Sequence, residues 1–413
     1  MKKSDYPFRF LLGNMIILIC TFIFTGQLHA HVGQVFPRWS PGYLDIHHIN
    51  TGKGESAFFI FPDGTTMLVD AGDSDRQRPK RPEVKPNDSR TPGEWISRYI
   101  LHMLEGQSDR KLDYILVTHF HSDHIGDLSG AEPSTRGNYM LNGITRVGEL
   151  VGFNKVIDRG WDYPQPSKAD YFVNYMEFVN WQVQNLGANY EQFQPGLNDQ
   201  VILVHDPAGY PGFEFRNIAA NGVVWTGFGT NVRNHFPPLE SLSPEEFPSE
   251  NMCSIAFRLA YGRFNYFNGG DIIGGNPGHW RDIETPIAMA TGPVDVCIAN
   301  HHAFFDAMSV SFLQATRPRV HIVQSSCPTH PSNSSLARMM SGRSYPGPRD
   351  VFSTNIMDET REIIGPRIDN LKSQQGHIVV RVNPGGATYM IYILDDTEES
   401  YRITAVHGPY YSN

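Results

Sequence analysis

Cysteine is scarce in this chain, four residues in 413. Cys20 lies in the apolar stretch near the N-terminus, which leaves Cys253, Cys297 and Cys327 for the body of the protein. An odd number excludes a complete disulfide framework, although one bridge stays open. None of the three has zinc-ribbon spacing, and Cys253 and Cys297 sit in apolar runs that suit small core residues. Positive charge is also short. The formal net charge is −9 at pH 7, and residues 1–30 carry a net +2, so the remainder carries −11. A surface that negative has no general attraction for phosphate polymers, which disfavours nucleic acid as a partner without excluding a local basic groove. No apolar run reaches the ~20 residues that a membrane-spanning helix needs. No internal repeat is present.

The longest apolar run, residues 10–25, has another reading. Lys2, Lys3 and Arg9 precede it, and Leu28-His29-Ala30 offers a small residue for cleavage before His31. This is the pattern of a secretory signal over residues 1–30. It predicts an exported protein, periplasmic or extracellular, with residues 31–413 as one domain and no stable membrane span after cleavage. The alternatives are an uncleaved anchor or a lipoprotein at Cys20, where Ile19 is bulky for the position before a lipidated cysteine. Nothing in the sequence specifies an oligomeric state.

Hydrophobic residues make up 40% of the chain and charged ones 19%, so a packed core is expected. Residues 44–50 read as a strand. Residues 56–61 and 65–70 read as a hairpin around Pro62-Asp63-Gly64. Residues 74–90 form a polar loop rich in proline and arginine, either a solvated surface loop or a basic flap carrying Arg76, Arg78, Lys80 and Arg81. Thr91-Pro92-Gly93-Glu94 has the form of a helix start, with the helix running to about residue 105. An apolar strand follows at 112–117. The spacing of Tyr171, Phe172, Tyr175, Phe178 and Trp181 predicts a helix over 171–186 with a core-facing stripe. Residues 201–204 and 213–218 read as strands. The loop at 235–251 is long enough to be a lid. Two strands over 252–268 flank Tyr261-Gly262-Arg263, and further strands are expected at 294–299, 320–324, 377–382 and 389–394. Alternation of strands and helices predicts a layered α/β architecture.

Polar clusters recur where these strands end. His119, His121, Asp123 and His124 follow the strand at 112–117. Asp271 follows Gly269-Gly270 after the strand ending near Asn268. Asn300-His301-His302 follows the strand at 294–299. Imidazole and carboxylate together suit zinc and similar divalent ions, and strand exits hold such ligands on rigid elements. One strand-end aspartate is a turn residue and one histidine pair is a surface feature. Three such exits in one chain point to a shared site at the edge of a sheet sandwich.

In these motifs the chain resembles the metallo-β-lactamase superfamily, whose central metal motif is similar to His119-Phe-His121-Ser-Asp123-His124 at every ligand position. It resembles most the ComEC-type hydrolase domain of DNA-uptake proteins, in a free-standing secreted form. That likeness rests on Gly52-Lys53-Gly54-Glu55-Ser56, Phe61-Pro62-Asp63-Gly64, Leu68-Val69-Asp70-Ala71-Gly72, Asn251-Met-Cys-Ser254, Asn268-Gly-Gly-Asp271, Asn300-His301-His302 and His330-Pro331. It covers roughly residues 44–385. It implies an αββα sandwich with one or two divalent metal ions, zinc or a harder ion such as manganese. His119 and His121 would bind the first metal, Asp123 and His124 the second. Asp271 would bridge them, and His302 would complete the second site, with His301 as the alternative ligand. A non-ligating His301 would donate a hydrogen bond to the substrate oxyanion. Asp70 would orient the ligand loop from behind.

Two departures stand out. The superfamily supplies another histidine to the first metal where this chain has Asn251, a weak zinc ligand; His205 and His235 are the other histidines in that interval. Ala303 stands where a glycine usually follows the histidine pair. His279 and His330 are candidates for the pocket wall, whereas His47, His48, His321 and His377 read as structural. The implied chemistry is attack by a metal-activated water, assisted by Asp123 and His301, most simply on a phosphodiester or another small-molecule substrate. The rivals are hydrolysis of a lactone or cyclic amide such as a β-lactam, and a non-catalytic binding protein with a degraded metal site.

Overall fold

The structure is a computed structural model that describes Met1 and residues 31–74, 80–107 and 109–413. The rest of the signal segment expected over 1–30, and Arg76 and Arg78 of the basic loop, lie outside the described residues.

Strands here alternate their side chains between two different apolar environments. Phe58, Leu68 and Val379 enter one core, while Phe59, Met67, Ile378 and Val380 enter another. That is the period-two geometry of a strand buried on both faces, and it explains why these segments are apolar throughout. They belong to a nine-stranded sheet. From edge to edge it runs Ile403–Tyr411, Thr388–Leu394, His377–Val382, Leu44–His48, Ala57–Ile60, Thr66–Val69, Leu112–Leu116, Phe153–Asp158 and Asn189–Gln192. An eight-stranded sheet runs Val232–Asn234, Val223–Trp225, Phe213–Ala220, Ala256–Tyr261, Phe264–Asn268, Val296–Ile298, Val320–Val323 and Asp350–Ser353.

The two sheets pack face to face through the second core. There Phe59 meets Phe257 and Tyr266 edge-on, with ring centroids 6.2 and 5.6 Å away. The helices Pro92–Met103, Gly143–Leu150 and Asp170–Leu186 cover the outer face of the first sheet. Glu284–Thr291, Val310–Thr316 and Asn333–Met340 cover the second. The architecture is therefore an αββα sandwich, as the resemblance implies. Among the described residues no helix is long and apolar enough to cross a membrane.

Local signals explain most boundaries. Thr91 Oγ1 accepts the Glu94 amide at 3.2 Å while the Glu94 carboxylate accepts the Thr91 amide at 2.8 Å, a reciprocal cap that starts the first helix. Phe172, Tyr175 and Phe178 are buried in the first core, and Tyr171 and Trp181 pack at its edge. One strand expectation is overturned. Residues 201–204 are irregular, because their backbone pairs with side chains: Ile202 with the Tyr114 hydroxyl and Val204 with Thr65 Oγ1. Val201 and Leu203 still bury themselves in the inter-sheet core, which is the apolar signal the sequence carried. The expected strand from 252 begins only at Ala256, after a short turn over Asn251–Cys253. The cysteines Cys253, Cys297 and Cys327 are all free.

Each sheet has a parallel half, comprising Thr66–Val69 through Asn189–Gln192 in one and Phe264–Asn268 through Asp350–Ser353 in the other. The C-terminal ends of parallel strands, where ligands gather in α/β folds, lead to Asp70, His119–His124, Asp271 and His301-His302.

Candidate metal centre

Asp70 ends its strand in a left-handed conformation, φ +57°. Its Oδ1 accepts the Thr118 amide at 2.8 Å. Its Oδ2 accepts the Thr118 hydroxyl at 2.6 Å and His124 Nδ1–H at 2.8 Å. Having given its proton to Asp70, Thr118 Oγ1 accepts from His119 Nδ1 at 3.2 Å. One buried carboxylate thus fixes the tautomer of two histidines and leaves both Nε2 atoms as lone-pair donors. The ligand loop is also held from below. Glu55 and Ala71 donate their amides to the Asp123 and His124 carbonyls at 2.8 Å each. Gly72 lies so close that a Cβ on it would stand 2.0 Å from the Asp123 carbonyl oxygen.

The second sheet supplies the opposite wall. The Asp271 amide donates to Ser254 Oγ at 3.2 Å. His301, His302 and Ala303 are three consecutive left-handed residues, with φ +46°, +51° and +60°. Such a run costs roughly 1–2 kcal/mol per residue, and strain of this kind gathers at functional sites. It splays the two imidazoles apart. His302 Nδ1 donates to the Gln324 carbonyl at 2.9 Å, which turns Nε2 inward. His301 Nδ1 donates to Asp306 at 2.7 Å, and its Nε2 meets Asn251 Nδ2 at 3.0 Å.

Two nests of donor atoms result, and Asp271 belongs to both. Its Oδ1 lies 3.3 Å from His124 Nε2 and 3.6 Å from His302 Nε2; its Oδ2 lies 3.6 Å from His119 Nε2. His124 Nε2 and His302 Nε2 are 3.3 Å apart, and His119 Nε2 and His121 Nδ1 are 3.1 Å apart. Ligand atoms of Glu55, His124, Asp271 and His302 all lie within 4.8 Å of one another, as do those of His119, His121 and Asp271. Asp123 belongs to neither set; it approaches His302 Nε2 to 3.5 Å and is about a fifth open to solvent.

The nests fit divalent cations. With their other nitrogens committed as donors, His124 and His302 turn lone pairs toward each other and toward a carboxylate, an arrangement that only a cation or a shared proton relieves. Glu55 Oε1 and Asp271 Oδ1 are buried without a hydrogen-bond partner among the described residues. Protons fill the role when no metal is bound. Burial pushes His302 down, but Asp271 and Asp123 outweigh it and hold it at about 9. Burial likewise opposes charge on Asp271, yet His124, His302 and His119 keep its carboxyl well below the usual range. Burial raises Glu55 to about 7, against the pull of His124 and His302. An all-nitrogen-and-oxygen set without sulfur suits zinc and manganese.

His330 is buried and stacks on His302, with ring centroids 4.5 Å apart, so it walls the second nest. His279 lies elsewhere, exposed beside Trp280 and His235 in a surface hollow. His205 pairs with Asp113 at 3.5 Å, half exposed, and neither it nor His235 joins either nest. The oxyanion-donor role expected of His301 meets an obstacle, since both its ring nitrogens are engaged by Asp306 and Asn251. Glu55 is the residue that the sequence reasoning passed over. Its motif was visible in Gly52-Lys53-Gly54-Glu55-Ser56, but no spacing rule marked it as a ligand. Also unforeseen was Glu250, whose Oε1 accepts the amide of Phe120, between His119 and His121, at 2.8 Å.

Residues 50–133 match the family model of the metallo-beta-lactamase superfamily. The matched stretch contains Glu55, Asp70 and the His119–His124 string; Asp271 and His302 come from beyond it. No curated protein matches the chain. Among solved structures it is similar to a point mutant of the CmlA beta-hydroxylase, at 10% identity and a TM-score of 0.38, over 84% of this chain and 55% of that one. A HARLDQ-motif mutant of a metallo-beta-lactamase from Cronobacter sakazakii is 16% identical with a TM-score of 0.31, over 66% and 81%. The long-form RNase Z from yeast is 11% identical with a TM-score of 0.31, over 73% and 40%. The chain therefore spans about half the length of the hydroxylase.

Proposed function

We propose that this chain is an exported, metal-dependent hydrolase that cleaves phosphodiesters at the centre shared through Asp271. The observation that carries the reading is the pair of donor nests joined by one carboxylate. Two ions a few ångströms apart are the arrangement used for in-line displacement at phosphorus. Bound there, divalent ions lower the pKa of a water toward ~7 and so supply a hydroxide nucleophile at neutral pH.

His119, His121 and Asp271 would hold one ion, and Glu55, His124, Asp271 and His302 would hold the other. Asp123, on the open side with a strongly lowered pKa, stays a carboxylate; beyond the pull of burial, His302 and His124 keep it charged. From there it would orient an attacking water by accepting its hydrogen bond. His330 closes one wall and excludes water. Arg81 favours an anionic substrate. Its Nη1 donates to the Ser326 carbonyl at 3.0 Å, and Ser326 adjoins His330 at 3.5 Å, so a positive charge is held beside the wall that His330 forms.

The test compares bis-p-nitrophenyl phosphate with a chromogenic cephalosporin, using protein loaded with zinc or with manganese. Phosphodiester turnover that His302→Ala abolishes supports the reading. Cephalosporin turnover alone reverses it in favour of cyclic-amide hydrolysis. A protein that takes up no divalent metal is not a hydrolase of this kind.

A further inference from the structure

We propose that Asn251 completes the His119–His121–Asp271 nest through its Oδ1, and that Asp306 and His301 are positioning residues that hold its carboxamide in that orientation. The inference rests on the metal-dependent reading above and adds residues to it.

The backbone on either side of Asn251 is tied to the nest. Glu250 Oε1 holds the amide of Phe120, between the two histidines of the nest. Ser254 Oγ holds the amide of Asp271, the nest's carboxylate. The turn Asn251–Cys253 is closed by the Ser254 amide donating to the Asn251 carbonyl at 3.1 Å. Asn251 is therefore bracketed by contacts to both of the loops that supply the nest's ligands.

Its side chain then shows an asymmetry. Nδ2 meets His301 Nε2 at 3.0 Å, whereas Oδ1 is sealed from solvent and has no hydrogen-bond partner among the described residues. The acceptor Asp306 explains which end of the amide faces His301. Asp306 takes the Nδ1 proton at 2.7 Å. A neutral imidazole that donates from Nδ1 offers a lone pair at Nε2, and only the NH2 end of Asn251 complements it. The oxygen is thereby turned away from His301, whose own Nε2 is 3.9 Å from Asp271 Oδ2. A buried amide oxygen left without a donor costs about 1–3 kcal/mol, and a cation in the adjoining nest removes that cost. The arrangement gives the first nest an oxygen where a histidine would give nitrogen, which shifts its preference toward harder ions such as manganese.

The test measures metal stoichiometry and affinity by calorimetry, and the visible spectrum of the cobalt-loaded protein. Wild type should take two ions per chain. Asn251→Ala should lose the weaker one, and His302→Ala should instead disturb the other nest. Asp306→Asn should weaken the first nest by about 10–100-fold, the usual effect of losing an outer orienting contact, and shift its cobalt band without altering the second. Asn251→His, which restores a nitrogen donor, should bind two zinc ions with the first held more tightly than in wild type. Two ions bound to Asn251→Ala with wild-type affinities would overturn the inference. So would a loss of the first ion in His301→Ala that Asn251→Ala does not show, since His301 would then be the ligand itself. Wild-type protein that binds no metal would instead remove the hydrolase reading, and the inference with it.

Discussion

Asp70 Oδ2 accepts the Nδ1 proton of His124 at 2.8 Å, and neither side chain reaches solvent. That contact decides which nitrogen of His124 is free to face His302. In Asp70→Asn the amide can present its NH2 end, and the imidazole proton then moves to Nε2, into the nest. Metal affinity should fall by about 10–100-fold, read by calorimetric titration with zinc. The Thr118 hydroxyl loses its acceptor in the same variant, so His119 should loosen as well and both ions should weaken together. Unchanged affinity for either would show that Asp70 does not set the tautomers.

The strands and the cluster from His119 to His124 were legible in the sequence because local rules govern both. Apolar runs such as 112–117 and 377–382 are strands buried on two faces, and Thr91 and Glu94 announce their helix. His119, His121, His124, Asp271 and His302, named from their strand ends, do converge in space. What stayed hidden depends on distant contacts. Residues 201–204 look like a strand, but the partners of their backbone are the side chains of Tyr114 and Thr65, which no window of sequence reveals. Glu55 joins the nest only because Gly54 and Gly72 bring two chain segments against the Asp123 carbonyl. His301 and His302 are neighbours in sequence, and their opposite orientations come from a left-handed run that non-glycine residues rarely adopt.

Gly72 tests that close approach directly. A methyl group there would stand 2.0 Å from the Asp123 carbonyl oxygen and 2.7 Å from Gly54 Cα, and both of those atoms are backbone that cannot swing aside. Gly72→Ala should therefore displace the 122–124 turn, which carries Asp123 and His124. The expected outcome is a loss of the ion that His124 and His302 would hold, seen in metal analysis, with destabilisation of about 1–3 kcal/mol from overpacking. Gly342, which lies outside the left-handed region and whose added Cβ would meet nothing within 4 Å, is the control for a general effect of removing a glycine.

The buried histidines away from the centre predict how the metal-free protein responds to acid. Burial lowers His321 to about 3 and His48 to about 4. An imidazole with a depressed folded pKa contributes stability that is fully present above the unfolded value near 6.5. That stability is lost as pH falls toward the folded value. For His321 alone the loss should reach about 3 kcal/mol by pH ~4. His321→Gln can still pair with the Tyr345 hydroxyl that His321 Nε2 meets at 2.9 Å, but it cannot take up a proton. Urea unfolding with EDTA present should show a shallower decline in the variant from about pH 6.5 down to about pH 4. Parallel declines would mean that His321 is not held neutral.

Arg159 and Glu250 link stability to the ligand loop. The Arg159 guanidinium is almost wholly buried. It donates to both Glu250 oxygens, at 2.8 and 2.6 Å, and lies 4.6 Å from the centroid of the Phe120 ring. Glu250 also accepts the Phe120 amide, so the ion pair fixes the backbone between His119 and His121. Removing one partner leaves a charge with little access to water, which costs about 3–5 kcal/mol. Arg159→Met and Glu250→Leu should each be destabilised on that scale in urea unfolding. The double variant should be more stable than the sum of the two losses, by up to about 3 kcal/mol, because no unpaired charge remains. Metal affinity should follow a different rule. Arg159→Met keeps the acceptor for Phe120, whereas Glu250→Leu and the double variant remove it. The last two should therefore lose first-nest affinity equally, even though one of them regains stability. If affinity instead tracks stability across all three, Glu250 acts only through the fold, and its bond to Phe120 does not position the ligands.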